Sequence, residues 1–176
     1  MLREFVALID AKAQEGKQTG KTPTTSERTS CQNGLNEFLA PWGYACKISL
    51  GSWDLSYEPS IAFCCQDILG EGFVNGEKPT PKKGFYLWLA YCWRNDSEKI
   101  DLCIGRSIEK DGEKECQKCP AYDKIIDPNG DTYYQESYDD LESHFENITD
   151  YFLRFANEFN QIPTAHFELE PSSASH

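Results

Sequence analysis

Cys116 and Cys119 have the spacing that most directly suggests chemistry in this chain. They form the sequence CQKCP, which is half of a zinc knuckle. A structural zinc needs four ligands, and the sequence has no second CxxC pair and no HxxxH pair; His144 and His166 lie far along the chain. We therefore predict no metal site and no cofactor, with two free thiols in a polar loop. A zinc or thiol-redox protein built on these two cysteines is retained as an alternative.

Motifs for catalysis are missing from the sequence. The chain contains no GxxxxGK[ST] phosphate loop, no HExxH and no GxSxG, and its carboxylates are spread through acidic segments without a histidine at motif spacing. We predict a protein without enzymatic activity.

Residues 51–59, with the sequence GSWDLSYEP, form the segment in which we expect function. The segment is too long for a tight hairpin, and it carries Trp53 and Tyr57 beside small polar residues. Tyrosine and tryptophan are also commonly buried for packing alone. The alternative is therefore that these two side chains are ordinary core aromatics.

Four short apolar segments surround this loop and must position it. They are rich in aromatic and β-branched residues and are bounded by Gly, Pro, Asn and Asp, a pattern typical of strands. The predicted strands are residues 45–50, 60–65, 85–93 and 99–106.

Two helices are predicted at the ends of the chain. Apolar residues recur at helical spacing from Leu2 to about Lys17, and an aromatic stripe predicts a second helix from Tyr138 to Asn160 with Ser137 and Asp140 as a capping start. The stripe consists of Tyr138, Leu141, Phe145, Ile148, Phe152, Phe155 and Phe159.

Polar segments rich in Gly and Pro are predicted to connect these elements. Residues 17–30, 66–83 and 111–136 are expected to be exposed or irregular, and residues 36–40 to form one short helical turn.

These elements predict a mixed α/β domain of the α+β class, with a central, mostly antiparallel sheet flanked by N-terminal and C-terminal helices. Residues 1–167 are expected to form one domain, and residues 168–176 a tail or a linker to a downstream domain. The charged residues of the first helix interrupt the apolar run that is typical of a signal peptide, and no segment is long enough to span a bilayer. We expect a cytoplasmic protein without membrane contact whose eight cysteines are mostly buried, reduced thiols.

The formal net charge of −12 is unevenly distributed. Residues 1–110 carry 13 Lys plus Arg against 14 Asp plus Glu, whereas residues 111–176 carry 4 against 15. The part that holds the strands is thus nearly neutral, and its basic residues are able to contact phosphates. An acidic protein-interaction module without DNA binding is the alternative. The candidate phosphate contacts are Lys47, Lys82, Lys83, Arg94 and Arg106, beside Lys78.

The strand segments resemble the N-terminal DNA-binding domain of McrB-type subunits of modification-dependent restriction systems. The resemblance lies in KISLGSWDLSYEPSIAF and KGFYLWLAYCWRNDSEKIDLCIGRS and, with the terminal helices, covers most of residues 1–160. Its anchors are Gly51, Pro59, Ala62, Phe63, Gly84, Phe85, Tyr86, Leu102, Ile104 and Gly105.

The resemblance implies a recognition module that binds duplex DNA and rotates a modified base, usually a modified cytosine such as 5-methylcytosine, into a pocket. It also implies that an NTPase domain and a nuclease subunit elsewhere in the system perform the hydrolysis and cleavage. The implied pocket residues are Ser52, Trp53, Tyr57, Ser60, Tyr86, Trp88 and Ala90.

Three of these positions depart from the family pattern. Ser52, Ser60 and Ala90 are smaller than the residues that relatives place there. Smaller side chains leave volume beside the extruded base, and a serine hydroxyl is able to bond a polar substituent. We expect the pocket to accept cytosine modifications larger than methyl, such as hydroxymethyl.

Overall fold

The structure is a computed structural model, which describes residues 2–20, 27–51, 55–69, 84–92, 99–107, 110–125, 135–138 and 147–168. Two single-turn 3₁₀ helices, Ala40–Trp42 and Thr164–Phe167, accompany the longer elements. In chain order, those elements are α1 (Leu2–Thr19), α2 (Arg28–Leu39), β1 (Tyr44–Ser49), β2 (Ser60–Cys65), α3 (Gln66–Leu69), β3 (Phe85–Cys92), β4 (Lys99–Arg106), α4 (Lys110–Cys116), α5 (Tyr122–Ile125), β5 (Gln135–Tyr138) and α6 (Ile148–Asn160). None of the helices in these ranges has the length and apolar character needed to cross a membrane.

The five strands form one sheet in the order β1-β2-β3-β4-β5, and every neighbouring pair is antiparallel. The predicted α+β fold, an antiparallel sheet with helices from both ends of the chain, is confirmed. The bounds of β2 and β4 agree with the prediction to the residue. β5 is an additional strand, which spans the end of a segment predicted to be irregular and the predicted start of the C-terminal helix.

One face of the sheet packs against the helices. Alternate residues of a strand point to the same side of the sheet. On this side those residues are large and apolar. The Phe63 ring lies 4.4 Å, centroid to centroid, from that of Phe152 in α6, and the Tyr91 hydroxyl donates to Asp10 of α1 at 2.8 Å. We call this side the core face. Its strand residues are Tyr44, Cys46, Ile48, Ile61, Phe63, Cys65, Phe85, Leu87, Leu89, Tyr91, Ile100, Leu102 and Ile104.

The predicted start of the C-terminal helix is wrong. Tyr138 is the last residue of β5, where it pairs with Ile100, and Ser137 is likewise in this strand, so these residues do not begin a helix. The helix begins at Ile148, and residues 139–146 lie outside the described ranges. Strand pairing with β4 therefore overrides the helical spacing at Tyr138. The second half of the stripe is confirmed, because it is buried: Ile148, Phe152, Phe155 and Phe159.

The helix α2 is much longer than the single turn predicted. It includes residues of low helix propensity, among them Gly34, and it is held by contacts with β1 at the sheet edge. Asn36 Oδ1 accepts from the Cys46 backbone N–H at 2.7 Å, and Gln32 Oε1 accepts from that of Ile48 at 3.1 Å. Side chains four residues apart on one helix thus satisfy two backbone donors of an edge strand.

Short helices also occupy parts of the other segments predicted to be irregular. Residues 66–69 form α3, and α4 and α5 lie between β4 and β5. Residues 70–83 lie outside the described ranges. The acidic segment after β4 is therefore partly helical.

Candidate functional site

The sheet face opposite the helical core carries most of the predicted site residues that the structure describes. Strand alternation places the residues between the core-face positions on this side. Its central positions are small: Ala62 and Cys64 on β2, and Ala90 on β3, are buried although they do not belong to the core cluster. We call this side the second face. Its residues on β1 to β4 are Ala45, Lys47, Ser49, Ser60, Ala62, Cys64, Tyr86, Trp88, Ala90, Cys92, Lys99, Asp101, Cys103 and Gly105.

Trp88 is the large flat side chain at the centre of this face. Its strand partners are Ala62 on β2 and Cys103 on β4, and its side chain is half-buried. Cross-strand Cβ atoms are about 5 Å apart, so the indole lies beside these two small, buried residues. Because Trp88 is only half-buried, part of its flat ring is exposed for the stacking of a planar ligand.

Tyr86 is held in place by its neighbour on β4. It pairs with Gly105, and a Cβ atom added to that glycine would lie 2.5 Å from Cε2 of the Tyr86 ring. The hydroxyl donates to the backbone oxygen of Arg106 at 3.1 Å. Burial, followed by the nearby Cys103 thiol, raises the pKa of Tyr86 to about 12. The ring is therefore a neutral, fixed wall that covers the glycine.

Ser60, Ala90 and Asp101 form one cross-strand row on the second face. Ser60 pairs with Ala90, and Ala90 pairs with Asp101. The exposed fractions of the three residues are 9%, 0% and 6%. The row is next to Trp88, two residues from Ala90 on the same strand face. It combines the hydroxyl of Ser60, the methyl group of Ala90 and the carboxylate of Asp101 beside the indole of Trp88.

Asp101 was missed by our sequence analysis. Its carboxylate Oδ2 lies 3.0 Å from the Lys99 Nζ and 3.5 Å from the Cys92 Sγ. The available signal was a charged residue within an apolar strand, at a position whose alternation with Ile100 and Leu102 assigns it to the polar side. Burial of a carboxylate is costly unless it is paired, and Lys99 is the partner here.

Glu58, Cys92 and Asp101 are the described residues best placed to hold a metal ion. One ligand atom of each, the thiol sulfur and two carboxylate oxygens, lies within 4.8 Å of the others. The Cys92 Sγ is 3.2 Å from Glu58 Oε1. Burial, followed by the hydrogen bond to Glu58, raises the pKa of the Cys92 thiol to about 12. The thiol thus stays protonated and is a hydrogen-bond donor to the two carboxylates. The Lys99 ammonium balances part of their negative charge.

The basic residues predicted to contact phosphate are not all on the second face. Lys47 is exposed on β1, on the same side as Ala62 and Trp88. Arg106 pairs with Phe85 and thus belongs to the opposite side, where its guanidinium lies 5.6 Å from the centre of the Tyr122 ring.

Of the remaining predicted residues, the structure describes Tyr57. Tyr57 is 57% exposed in the segment that leads into β2. The others fall outside the described ranges: Ser52, Trp53, Lys78, Lys82, Lys83 and Arg94.

Cys116 and Cys119 are buried, which corrects their predicted position in a polar loop. Cys116 ends α4, Cys119 lies in the turn after it, and both belong to the core cluster. The Cys116 thiol donates to the carbonyl oxygen of Gly84 at 3.4 Å, and that of Cys119 to Phe167 at 3.1 Å. Their polar sequence neighbours concealed this burial, although free cysteine packs as a small hydrophobe.

A cavity of about 540 Å³ lies between α1 and α2, away from the sheet. Glu4, Glu27, Cys31 and Leu35 are among its lining residues. None of the predicted site residues is among the residues that line it.

Comparison with known proteins gives no family for this chain. No protein-family model matches it, and no curated protein matches it significantly.

Proposed function

We propose that this domain binds duplex DNA carrying a modified base, with modified cytosine as the base recognised, and accepts the extruded base on the second face. The observation that carries the proposal is the strand register, which brings Ser60, Trp88 and Ala90 to one side of the sheet, opposite the helical core. An extruded base needs a flat side chain for stacking and polar groups for its edge. Trp88 and Ser60 are of these types.

The surroundings of Trp88 fit a DNA-binding role. Lys47 is exposed on the second face, where its ammonium is able to contact a phosphate. Tyr57 precedes β2 and is largely exposed, so it is available at the same end of the strand as Ser60. An exposed aromatic near a base pocket is suited to fill the space that an extruded base leaves.

In this proposal the domain is the recognition part of a modification-dependent restriction system in the cytoplasm. It performs no catalysis itself, and NTPase and nuclease partners act on the DNA that it recognises. The support is the McrB-type resemblance of the strand segments and the scarcity of catalytic motifs in the sequence.

The test is a binding panel of otherwise identical duplexes with unmodified, 5-methyl, 5-hydroxymethyl and N4-methyl cytosine and N6-methyl adenine. We expect preference for a modified cytosine, with the hydroxymethyl duplex within tenfold of the methyl duplex. Trp88→Ala should weaken modified-base binding by about 5- to 150-fold, the equivalent of 1 to 3 kcal/mol of stacking. Trp42→Ala is the matched control, because Trp42 is 46% exposed in the 3₁₀ helix before β1.

The salt dependence separates DNA binding from an acidic protein-interaction role. With few phosphate contacts, log K should fall against log salt with a slope of about 3 to 5. Lys47→Glu should weaken binding to all duplexes alike, whereas Lys114→Glu on α4 should have a smaller effect. Absence of binding to every duplex at low salt refutes the proposed function.

A further inference from the structure

We propose that Glu58, Cys92 and Asp101 form a binding site for a divalent transition-metal ion, with Zn²⁺ as the ion that suits these ligands. The site lies at the end of the second face where β3 ends and β4 begins. It goes beyond the proposed function and does not depend on DNA binding. It is also separate from the CxxC pair of the sequence.

The strand register brings the three ligands together. The Tyr91 backbone N–H donates to the carbonyl oxygen of Pro59 at 2.9 Å, which continues the pairing of β3 past the start of β2. Glu58 therefore comes to lie beside Cys92, where its Oε1 atom is 3.2 Å from the sulfur. Asp101 is on the next strand, β4, as the diagonal neighbour of Cys92. Ligands supported by paired strands need little rearrangement when an ion binds.

The distances between the ligand atoms fit a tetrahedral zinc ion. Zinc binds sulfur at about 2.3 Å and carboxylate oxygen at about 2.0–2.2 Å, so a sulfur and an oxygen on one ion lie about 3.5 Å apart. The Cys92 Sγ is 3.2 Å from Glu58 Oε1 and 3.5 Å from Asp101 Oδ2. One ligand atom of each residue lies within 4.8 Å of the others. The ion would replace the thiol proton, which is released to solvent as the thiolate forms.

The charges of the site favour a divalent ion. A thiolate and two carboxylates carry three negative charges, and the Lys99 ammonium, 3.0 Å from Asp101 Oδ2, supplies one positive charge. A divalent ion makes the sum zero. Lys99 would then support a ligating carboxylate from the outer shell, as such partners do in metal sites. The sulfur ligand selects zinc over Mg²⁺ and Ca²⁺, which prefer oxygen alone.

Solvent reaches the site from one side. Asp101 is buried, Cys92 is half-buried and Glu58 is exposed. An ion is thus able to enter past Glu58 and Cys92 and to bind Asp101 below them. Three protein ligands leave the fourth tetrahedral position to water.

The experiment titrates the whole chain, purified without a histidine tag and stripped of metal, with Zn²⁺ against a chromogenic chelator. We expect a single Zn²⁺ to bind and to raise the melting temperature, because an ion that binds only the folded state stabilises it. Cys92→Ser and Glu58→Gln should each weaken Zn²⁺ binding by about tenfold or more. Glu58 is exposed, so its substitution should not disturb folding, which circular dichroism checks for both variants.

Cys31→Ser and Glu37→Gln are the matched controls. Cys31 is half-buried like Cys92 and lines a cavity together with Glu4 and Glu27, so it is also a thiol near carboxylates. Glu37 is exposed on α2, and its substitution makes the same change of charge as Glu58→Gln. Both control variants should keep the Zn²⁺ affinity of the unsubstituted protein.

Co²⁺ in place of Zn²⁺ tests the sulfur ligand directly. A thiolate bound to Co²⁺ gives a charge-transfer band in the near ultraviolet. The unsubstituted protein and Cys31→Ser should show this band, and Cys92→Ser should lack it. The site is refuted if the stripped protein does not bind Zn²⁺, or if the unsubstituted protein binds Co²⁺ without the band. Zn²⁺ that binds equally to Cys92→Ser and Glu58→Gln is held elsewhere, and this result also refutes the site.

Discussion

The core face and the second face of the sheet are built from different side chains on the same strands. On β2, Ile61 and Phe63 enter the helical core, whereas Ser60, Ala62 and Cys64 alternate with them on the other side. Both sets are buried, but the first is large and apolar and the second is small. Large interlocking side chains supply most of the packing energy. The core face thus contributes more packing energy to the fold than the second face does.

The largest expected effect comes from substituting adjacent residues of β2 that lie on opposite faces. Phe63→Ala removes a ring that is fully buried and packed on Phe152, and it should lower the free energy of unfolding by about 3 to 5 kcal/mol. Cys64→Ala removes one sulfur from the second face and should cost about 1 kcal/mol. Urea denaturation measures both. Equal losses would show that the second face is packed as tightly as the core.

A smaller effect is expected where the second face is itself tightly packed. In Gly105→Ala the new methyl group would collide with the ring of Tyr86, whose hydroxyl is hydrogen-bonded. Overpacking of this kind costs about 1 to 3 kcal/mol. Adding Tyr86→Ala removes the collision, so the double variant should be less destabilised than the two single effects predict. Additive losses in the thermal or urea unfolding of the three variants would contradict this contact.

Alkaline pH tests whether the two faces exclude water equally. Burial is the first cause that raises the pKa of Cys46 on the core face and of Cys64 on the second face, both to about 12 from 9.0. Because the folded-state pKa is the higher one, the protonated thiol stabilises the fold below about pH 9, and this contribution is lost as the pH rises toward 12.

Each of these thiols should therefore cost about 1 kcal/mol of stability between pH 8 and pH 10. Cys46→Ala and Cys64→Ala should reduce the pH dependence of the free energy of unfolding by similar amounts, measured in urea at several pH values. A reduction only for Cys46→Ala would mean that water reaches the second face.

The smallest expected effect concerns the edge of the sheet, where polar contacts add to the burial of the core face. Asn36→Ala removes the acceptor for the Cys46 backbone N–H and should cost about 1 kcal/mol. Asn33→Ala is the control: Asn33 is exposed on the same helix, so this substitution should be neutral or slightly stabilising. Hydrogen exchange at the Cys46 amide should accelerate only in the first variant.

The sequence predicts those parts of the fold that depend on local patterns. The apolar runs of β2 and β4 locate both strands to the residue, because their length and composition are those of short, buried strands. The α2 helix was missed because its stability depends on the distant β1 strand, through Gln32 and Asn36, and not on propensity.

The candidate site was predictable only in part. Ser60, Trp88 and Ala90 lie on the same face of the sheet, because strand alternation at their predicted positions determines the side to which each points. The position of Asp101 opposite Ala90 was not predictable, since it depends on which strand pairs with β3 and in which register. Arg106 illustrates the same limit: its charge suggests a phosphate contact, but its pairing with Phe85 places it on the core side.

The contacts of Gln32 and Asn36 also affect how molecules of this protein meet one another. A strand with unpaired backbone groups at its margin is a template on which a second chain is able to add a strand, which leads to aggregation. In β1 the backbone donors of Cys46 and Ile48 are already occupied by side chains of the same molecule. An incoming strand would have to displace α2 before it paired there. This helix therefore protects the protein from forming intermolecular β-sheets.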